Sequence, residues 1–362
     1  MRVLHVSPTW FGPDAVMGGG ERYPYQLARA MASRADVVLL TFSRTPGVTH
    51  EERLTVERLR PGPLVRWHPL AANPVRWRIV QLLRWADVVH AHQVSTFLTA
   101  GVLSLGRRLG RATFASDLGG GHPYAPTSYL PILCHADALL LLSDYSRGLW
   151  QAVPRRARPE RLEVVYGGVD VERFSPAPGR QRGHVLFVGR LLPHKGLEYL
   201  IAAIEPPLTL TVAGQASGAA YAAELARLAA GRPVRFAGTI DDDRLVESYR
   251  SAMVTVLPSV YVASNGSRSV VPELLGLVAL ESMACGTPVI VSNVGSLPEI
   301  VEDGRTGFVV PPNDPSAIRE KLRYLESRPD EVERMGQLGR EHVLQRFTWS
   351  IVADRCLEAY SR

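Results

Sequence analysis

The sequence predicts an α/β protein made of two doubly wound parallel sheets, and three observations lead to this fold class. The 362 residues are 46% hydrophobic and 21% charged, a globular composition in a chain long enough for two domains. Short runs rich in valine and leucine alternate with helical patterns, which is typical of buried parallel strands joined by helices. A stretch at 174–183 with two prolines and two glycines breaks this alternation and is the predicted linker.

Twelve apolar runs are the predicted strands. Those of the first half are 3–7, 37–42, 88–91, 112–115, 138–143 and 162–166, and those of the second half are 185–188, 208–213, 234–237, 254–257, 289–292 and 308–310. Because open α/β sheets bind ligands outside the carboxyl ends of their strands, we expect the two sheets to face a common cleft that holds the active site. A final helix at 351–360 is too short to form a domain and must pack on one of the two.

Charge and cysteine content narrow the class of protein. Of the net charge of +6, residues 1–179 carry +7 and residues 180–362 carry −1, which indicates an anionic partner for the first half or, alternatively, an arginine-rich genome. No run reaches the roughly 18–20 apolar residues that span a bilayer, and no leader precedes the first strand, so we expect a cytoplasmic protein. Cys134, Cys285 and Cys356 are expected to be small core residues without disulfide or zinc bonds.

A glycine-rich loop follows the first predicted strand. It contains Gly18, Gly19 and Gly20 and leads into a predicted helix over 23–32 with Pro24 in the first turn. Such glycines let backbone N–H groups at a helix N-terminus approach a phosphate, although a plain strand-to-helix turn also accepts glycine. The second strand is followed by no acid that could bind a nicotinamide ribose, which argues against a dehydrogenase.

The second half begins with two cations, Arg190 and Lys195, on a loop after the strand at 185–188. A planar guanidinium and a compact ammonium in these places could straddle a diphosphate and neutralise it as a leaving group. The alternative is a pair of surface cations near a helix start, a position that the helix dipole disfavours.

Two carboxylates eight positions apart, Glu273 and Glu281, bracket Gly276. The pattern places Glu273 in a loop and Glu281 in the helix that follows. That helix is apolar from residue 277 to 280, so a carboxylate within it must be satisfied by a partner. A ribose diol offers two O–H donors to its two oxygens, and a local cation or the backbone is the alternative partner.

Together these residues resemble the retaining glycosyltransferases of the GT-B fold in glycosyltransferase family 4, over nearly the whole chain. The matching motifs are Gly18–Gly20, Gly168-Val169-Asp170, Phe174-Ser175-Pro176, Gly189-Arg190 with Lys195-Gly196, the pair Glu273 and Glu281, Gly286-Thr287-Pro288-Val289-Ile290, Pro298–Val301, Gly304 with Thr306-Gly307, and Phe347-Thr348-Trp349. The resemblance implies a metal-independent transfer of a hexosyl group from a nucleoside-diphosphate sugar, with a UDP- or GDP-sugar as co-substrate and no cofactor.

The resemblance also implies roles for individual residues. Arg190 and Lys195 would bind the donor diphosphate, Glu281 the ribose, and Glu273 the sugar hydroxyls near the reaction centre. The donor-binding residues that it implies are Gly19, Gly20, Arg190, Lys195, Leu275, Gly276, Leu277 and Glu281. The glycines of the first domain would meet the phosphates from the opposite side, so that closure of the cleft excludes water.

The chain departs from the family pattern at one position beside the donor sugar. Members commonly have a histidine there, whereas this sequence has Ser116. Either Asp117 or His122 is expected to replace it, and three glycines before His122 would let that loop reach the cleft. These two residues complete the predicted catalytic set with Glu273 and the cations.

The resemblance divides the chain into an acceptor-side domain at 1–178, completed by a C-terminal helix at 347–362, and a donor-binding domain at 179–346. Both are expected to be Rossmann-like. The acceptor would be a glycan, a glycolipid or a small molecule, and no motif indicates nucleic-acid binding. A non-hydrolysing sugar-nucleotide epimerase and a catalytically silent sugar-nucleotide binder are the alternatives.

Peripheral contact with the inner face of an anionic membrane is a further hypothesis. Between residues 53 and 85 lie seven arginines and three tryptophans, and Glu57 is the only acid. Basic and aromatic residues together suit a lipid headgroup boundary.

Overall fold

The computed structural model describes residues 1–9, 19–62, 76–94, 96–118, 133–177, 179 and 182–362, with the backbone alone at 19 and 21. The chain forms two compact units, one made of 1–168 and 349–362 and the other of 169–348. The fourteen described strands are β1 (Arg2–Val6), β2 (Asp36–Phe42), β3 (Gly47–Glu51), β4 (Leu54–Leu59), β5 (Val88–His92), β6 (Ala112–Asp117), β7 (Ala138–Leu141), β8 (Arg161–Val164), β9 (His184–Val188), β10 (Leu210–Ala213), β11 (Val234–Gly238), β12 (Ala252–Leu257), β13 (Val289–Ser292) and β14 (Gly307–Val310).

The α-helices of the described residues follow the same alternation. In chain order they are α1 (Gly19–Met31), α2 (Trp77–Trp85), α3 (Phe97–Arg108), α4 (Asp144–Gln151), α5 (Leu197–Ala203), α6 (Ala219–Ala229), α7 (Asp242–Ser251), α8 (Leu277–Ala284), α9 (Leu297–Ile300), α10 (Pro315–Glu326), α11 (Pro329–Arg346) and α12 (Trp349–Ser361). Within the described ranges, no helix combines the length and the apolar character that crossing a bilayer requires.

The first unit contains a sheet of eight strands in the order β3-β4-β2-β1-β5-β6-β7-β8. Its pairs are parallel except for the antiparallel hairpin of β3 and β4 at one edge. All six strands predicted in this half are present. The hairpin was not predicted, because β3 is a mostly exposed edge strand that lacks the apolar run of a buried one.

Two expectations for the first unit are wrong. Helix α1 begins at Gly19, so Pro24 lies inside it and not in its first turn. Gly19 and Gly20 adopt helical conformation themselves, and the missing N–H of Pro24 removes one hydrogen bond within the helix. Cys134 is exposed, because it lies in a single 3₁₀ turn at Leu133–His135, whereas Cys285 and Cys356 are buried as expected.

Helix α12 packs on the first unit, chiefly against α1. The ring of Trp349 meets that of Tyr23 edge-on at 5.1 Å between centroids. Gly168 lies directly beneath the same tryptophan, where a Cβ atom would come within 2.7 Å of the indole ring. The ion pair of Arg34 with Asp354 adds a polar contact between the turn after α1 and α12. Aromatic packing thus holds the end of the chain on the first sheet.

Residues 169–178 group with the second unit, ten residues before the boundary expected at 178. The guanidinium of Arg340 in α11 donates to the carbonyl oxygens of Val171, Phe174 and Ala284 at 2.7 to 3.0 Å. This one side chain therefore fastens the segment to α8 and α11 through three backbone acceptors.

The second unit contains a wholly parallel sheet in the order β11-β10-β9-β12-β13-β14, whose six strands were all predicted. The chain runs outward from β9 to β10 and β11 and then returns to β12 on the other side of β9. At such a reversal the loops from the carboxyl ends of two adjacent strands diverge and leave a crevice. The loop after β9 carries the predicted cations, and the loop after β12 leads to the first predicted carboxylate.

Candidate functional site

The loop after β9 has a compact backbone that positions Lys195. Pro193 opens a 3₁₀ turn that ends at Lys195, and Gly196 follows with a φ of 63° before α5 begins at Leu197. A Cβ atom at Gly196 would lie 2.1 Å from the carbonyl oxygen of Pro258, in the loop after β12. Glycine is required here both for the left-handed backbone and for this close approach.

A hydrogen bond also joins the two loops. The backbone N–H of Val260 donates to the carbonyl oxygen of His194 at 2.8 Å. Burial is the main cause that lowers the pKa of His194, and the charges of Lys195 and Arg190 lower it further, while that of Glu273 raises it. The His194 imidazole is therefore neutral at pH 7, and it contributes to the site through its backbone.

The side chains of Lys195 and Glu273 meet between these loops. Lys195 Nζ lies 2.5 Å from Glu273 Oε1, and the side chains are 21% and 11% exposed. The hydroxyl of Ser259 donates to the same oxygen at 2.9 Å. A half-buried carboxylate that receives an ammonium and a hydroxyl on one oxygen is held in a single orientation. We name Lys195, Ser259 and Glu273 the switch-point cluster.

The backbone of Glu273 is fixed as well. Its carbonyl oxygen accepts a hydrogen bond from the N–H of Ser296 at 3.3 Å. A Cβ atom at Gly295 would come within 2.3 Å of that oxygen. The chain after β13 therefore packs directly on the segment that carries this carboxylate.

Glu281 lies in the second turn of α8, as predicted. Gly276 precedes this helix with a φ of 77°, and a Cβ atom there would lie 2.6 Å from a methyl group of Leu297. The half-buried carboxylate accepts a hydrogen bond from the hydroxyl of Tyr249, which donates to Oε2 at 2.8 Å. Tyr249 is completely buried, so it fixes the direction of Glu281 without reaching solvent itself.

The two predicted cations have different surroundings in the structure. Lys195 is engaged by Glu273, whereas the side chain of Arg190 is exposed. Leu275 is buried and Leu277 half-buried on either side of Gly276. The predicted residues of the second unit thus form two hydrogen-bonded groups, one around Glu273 and the other around Glu281.

In the first unit the predicted site residues are only partly described. Gly18 and His122 lie outside the described residues, and Gly19 begins α1. A Cβ atom at Gly20 would lie 3.3 Å from the carbonyl oxygen of Leu118, so the start of α1 adjoins the end of β6. Asp117 is buried and accepts a hydrogen bond from Trp150 Nε1 at 2.9 Å, which engages its carboxylate in the fold.

The arginine-rich segment is also described in part, since residues 63–75 lie outside the described ranges. Arg78 is bound to the carboxylate of Glu57 by three hydrogen bonds of 2.7 to 3.1 Å. Trp77 is 64% exposed, and the guanidinium of Arg84 lies 5.5 Å from its ring centroid. Arg78 thus has a structural partner, whereas Trp77 and Arg84 form an exposed pair.

Two further residues of the site, Ser259 and Tyr249, were not predicted from the sequence. Ser259 follows β12 by two residues, and a polar residue just after a buried strand is the signal that could have identified it. Tyr249 gave no such signal, because its contact with Glu281 depends on the packing of α7 against α8.

Comparison with known proteins identifies related sequences for both halves. The profile of the family described as "Glycosyl transferases group 1" matches residues 169–342, and that of "Glycosyltransferase Family 4" matches residues 17–173. The alpha-maltose-1-phosphate synthase of Mycolicibacterium smegmatis is 31% identical over 317 residues, which cover 76% of this chain and 79% of that protein.

A second relative is matched over a shorter region. The D-inositol 3-phosphate glycosyltransferase of Streptomyces bingchenggensis is 34% identical over 232 residues, which cover 57% of this chain. The match spans about half of that relative, 48% of its length. Among solved structures, Anabaena HepE in complex with UDP-glucose matches with a TM-score of 0.72 at 20% identity. The match covers 100% of this chain and 99% of the HepE chain. That likeness shows a shared fold.

The close approach of Gly196 to Pro258 predicts a specific cost of adding a methyl group. Gly196→Ala and Gly238→Ala both place alanine in the left-handed region, at φ of 63° and 67°, which costs about 1–2 kcal/mol. Only at Gly196 would the new Cβ meet another atom within 4 Å. We expect Gly196→Ala to lose a further ~1–3 kcal/mol of unfolding free energy, measured by urea denaturation. Equal losses in both variants would show that the two loops do not touch there.

Proposed function

The chain belongs to the group 1 glycosyltransferases of glycosyltransferase family 4 and has the GT-B fold, and on this premise we propose that it transfers a glycosyl group from a nucleoside-diphosphate sugar to an acceptor. The proposed transfer retains the anomeric configuration and uses no metal ion in the reaction. The observation that carries the proposal is the switch-point cluster, where a cation and a carboxylate are fixed side by side at the carboxyl ends of β9 and β12.

In the proposed reaction the bond from the anomeric carbon to the diphosphate breaks, and negative charge develops on the departing diphosphate. Lys195 supplies a positive charge whose position is already set by Glu273 and by the tight turn at Gly196. A preorganised charge stabilises a transition state without the cost of reorienting during the reaction. The side chain of Arg190 is exposed, so its planar guanidinium could bind the phosphates with two parallel hydrogen bonds.

Glu273 is proposed to bind hydroxyls of the donor sugar beside the reaction centre. One of its oxygens receives Lys195 and Ser259, which fixes the plane of the carboxylate. The backbone amides of Leu275, Gly276 and Leu277 lie at the N-terminus of α8, where N–H groups lack partners within the helix and favour an anion or a hydroxyl oxygen. Binding the sugar and the diphosphate from the same loop would align the bond that breaks.

Glu281 is proposed to bind the ribose diol of the nucleotide. The hydrogen bond from buried Tyr249 sets the orientation of the carboxylate before the nucleotide arrives. The two ribose hydroxyls would then donate to a carboxylate whose rotamer is already fixed, which lowers the entropy cost of binding. HepE, a structural neighbour, was solved with UDP-glucose, and this supports a UDP-sugar as the first donor to test.

The roles of Gly19, Gly20, Asp117 and His122 stay predictions from the resemblance. For Asp117 the hydrogen bond from Trp150 supports a structural role, which leaves His122 as the residue we propose for the position beside the sugar. Contact of the first unit with an anionic membrane is likewise a proposal. It is supported by the exposed pair of Trp77 and Arg84.

A donor panel distinguishes this function from its alternatives. We expect one of the UDP-, GDP- and ADP-sugars to raise the unfolding temperature of the protein, because a ligand that binds only the folded state stabilises it. NMR of the donor then separates the cases. Consumption that requires an added acceptor supports a transferase, conversion without acceptor indicates an epimerase, and a thermal shift without consumption indicates a silent binder.

Removing the cation of the switch-point cluster should slow the reaction itself. We expect Lys195→Ala to lower kcat by about 10²–10³-fold at saturating donor, the scale for losing one preorganised stabiliser. The matched control is Lys321→Ala, which removes the chain's other lysine, on α10, paired there with Glu320. Unchanged kcat in Lys195→Ala, or an equal loss in the control, would exclude Lys195 from the mechanism.

Truncating the proposed ribose ligand should weaken binding and leave the chemical step intact. We expect Glu281→Ala to raise the donor KM by about 10–100-fold, since hydrogen bonds to a charged group contribute about 1.5–3 kcal/mol. Tyr249→Phe, which keeps the buried ring and removes only the hydroxyl, should raise KM in the same direction by a smaller factor. If kcat collapses at constant KM, Glu281 does not bind the ribose.

A further inference from the structure

Three histidine side chains of the first unit are packed against one another without any exposed surface. His5 lies on β1, and His90 and His92 lie on the adjacent strand β5. His5 is the parallel partner of His90 in the sheet, and His92 is two residues further along, so all three side chains project from the same face. Their ring centroids are 4.4 to 5.2 Å apart. We name these residues the histidine cluster.

Hydrogen bonding among the described residues does not satisfy the cluster. His5 Nδ1 and His92 Nε2 share one hydrogen bond of 3.0 Å. The far nitrogens, His5 Nε2 and His92 Nδ1, are buried and have no hydrogen-bond partner among the described residues. Whichever tautomers the two rings adopt, one N–H donor and one lone pair stay unpaired in the core. Such groups are rare in native structures and require an explanation.

His90 is satisfied on both sides. Its Nδ1 lies 2.6 Å from the hydroxyl of Tyr360 in α12, and its Nε2 lies 2.7 Å from the hydroxyl of Ser116 in β6. If either nitrogen bound a metal ion, the other would keep a hydroxyl partner. A ligating histidine that is oriented through its second nitrogen in this way is the usual arrangement in metal sites.

Burial sets the charge state of the cluster. It lowers the pKa of all three imidazoles, that of His5 to about 3, and the neighbouring rings lower those of His90 and His92 further. The rings are therefore neutral at pH 7.

We propose that His5, His90 and His92 form a buried structural site for one zinc ion in the first unit. One nitrogen from each ring lies within 4.8 Å of the others, and the nitrogens shared by His5 and His92 are 3.0 Å apart. Ligands at about 2.0–2.1 Å around a tetrahedral zinc ion are separated by roughly 3.4 Å, and the three imidazoles would fill three of its four positions. The ion would join β1 to β5 and, through Tyr360, hold α12 on the sheet.

This site is independent of the proposed transfer, whose residues in the second unit use no metal ion. Its role is to cross-link β1 and β5 in the core through metal–nitrogen bonds. Because the site lacks an open path to solvent among the described residues, the ion would be acquired during folding and exchanged slowly.

Metal analysis of the intact protein tests the proposal. Protein expressed in zinc-supplemented medium and purified without a metal-affinity step should contain about one zinc ion per chain by mass spectrometry. His92→Leu and His5→Leu should lower that content at least tenfold. The matched control is His342→Leu in the second unit, since His342 is also buried with an unpartnered Nε2 but lies outside the cluster. It should keep the full zinc content.

A second measurement covers variants that fail to fold. Wild-type protein refolded with cobalt(II) should show the visible absorption bands of a tetrahedral nitrogen-ligated site, and zinc should abolish them. The proposal would be overturned if zinc-free wild-type protein showed no such bands after refolding with cobalt(II). Equal zinc content in the cluster variants and the control would overturn it as well. The thermal shift by a nucleotide sugar is measured on the same preparations, so failure of the metal site is distinguished from failure of the transferase function.

Discussion

The ion pair between Lys195 and Glu273 is the interaction on which the second unit's site depends. The two side chains are 21% and 11% exposed, so each charged group has lost most of its hydration and interacts with the other instead. A half-buried charge that loses its partner is left uncompensated, which is strongly destabilising. The pair also requires the loops after β9 and β12 to touch, and this contact is possible only because Gly196 has no side chain against Pro258. Charge pairing and backbone packing therefore impose the same geometry.

The two carboxylates that lie eight positions apart, Glu273 and Glu281, have different surroundings. Glu273 faces a cation and a hydroxyl in a loop, and Glu281 faces a buried phenol from the side of α8. The first arrangement fixes a charge pair that a diphosphate and a sugar can share. The second fixes a hydrogen-bond acceptor. Eight positions in the sequence separate the carboxylate that we propose for the donor sugar from the one that we propose for the ribose.

The core of the first unit contains buried polar side chains, among them His90 and Ser116. His90 connects β5 to Ser116 on β6 and to Tyr360 on α12, so one imidazole joins three elements. The aromatic contact of Tyr23 with Trp349 fastens the same helix from its other end. The end of the chain is held on this sheet by contacts with residues more than two hundred positions away.

The sequence by itself determined the α/β fold class, the twelve predicted strands and the placement of Glu273 in a loop and Glu281 in a helix. Apolar periodicity and glycine positions are local properties, and burial of a parallel strand on both faces leaves a strong local signal. The exposed edge strand β3 left none. Only the tertiary structure decided that Lys195 meets Glu273, 78 residues away, and that Tyr249 meets Glu281, because these contacts follow from strand order and helix packing, which no local pattern encodes.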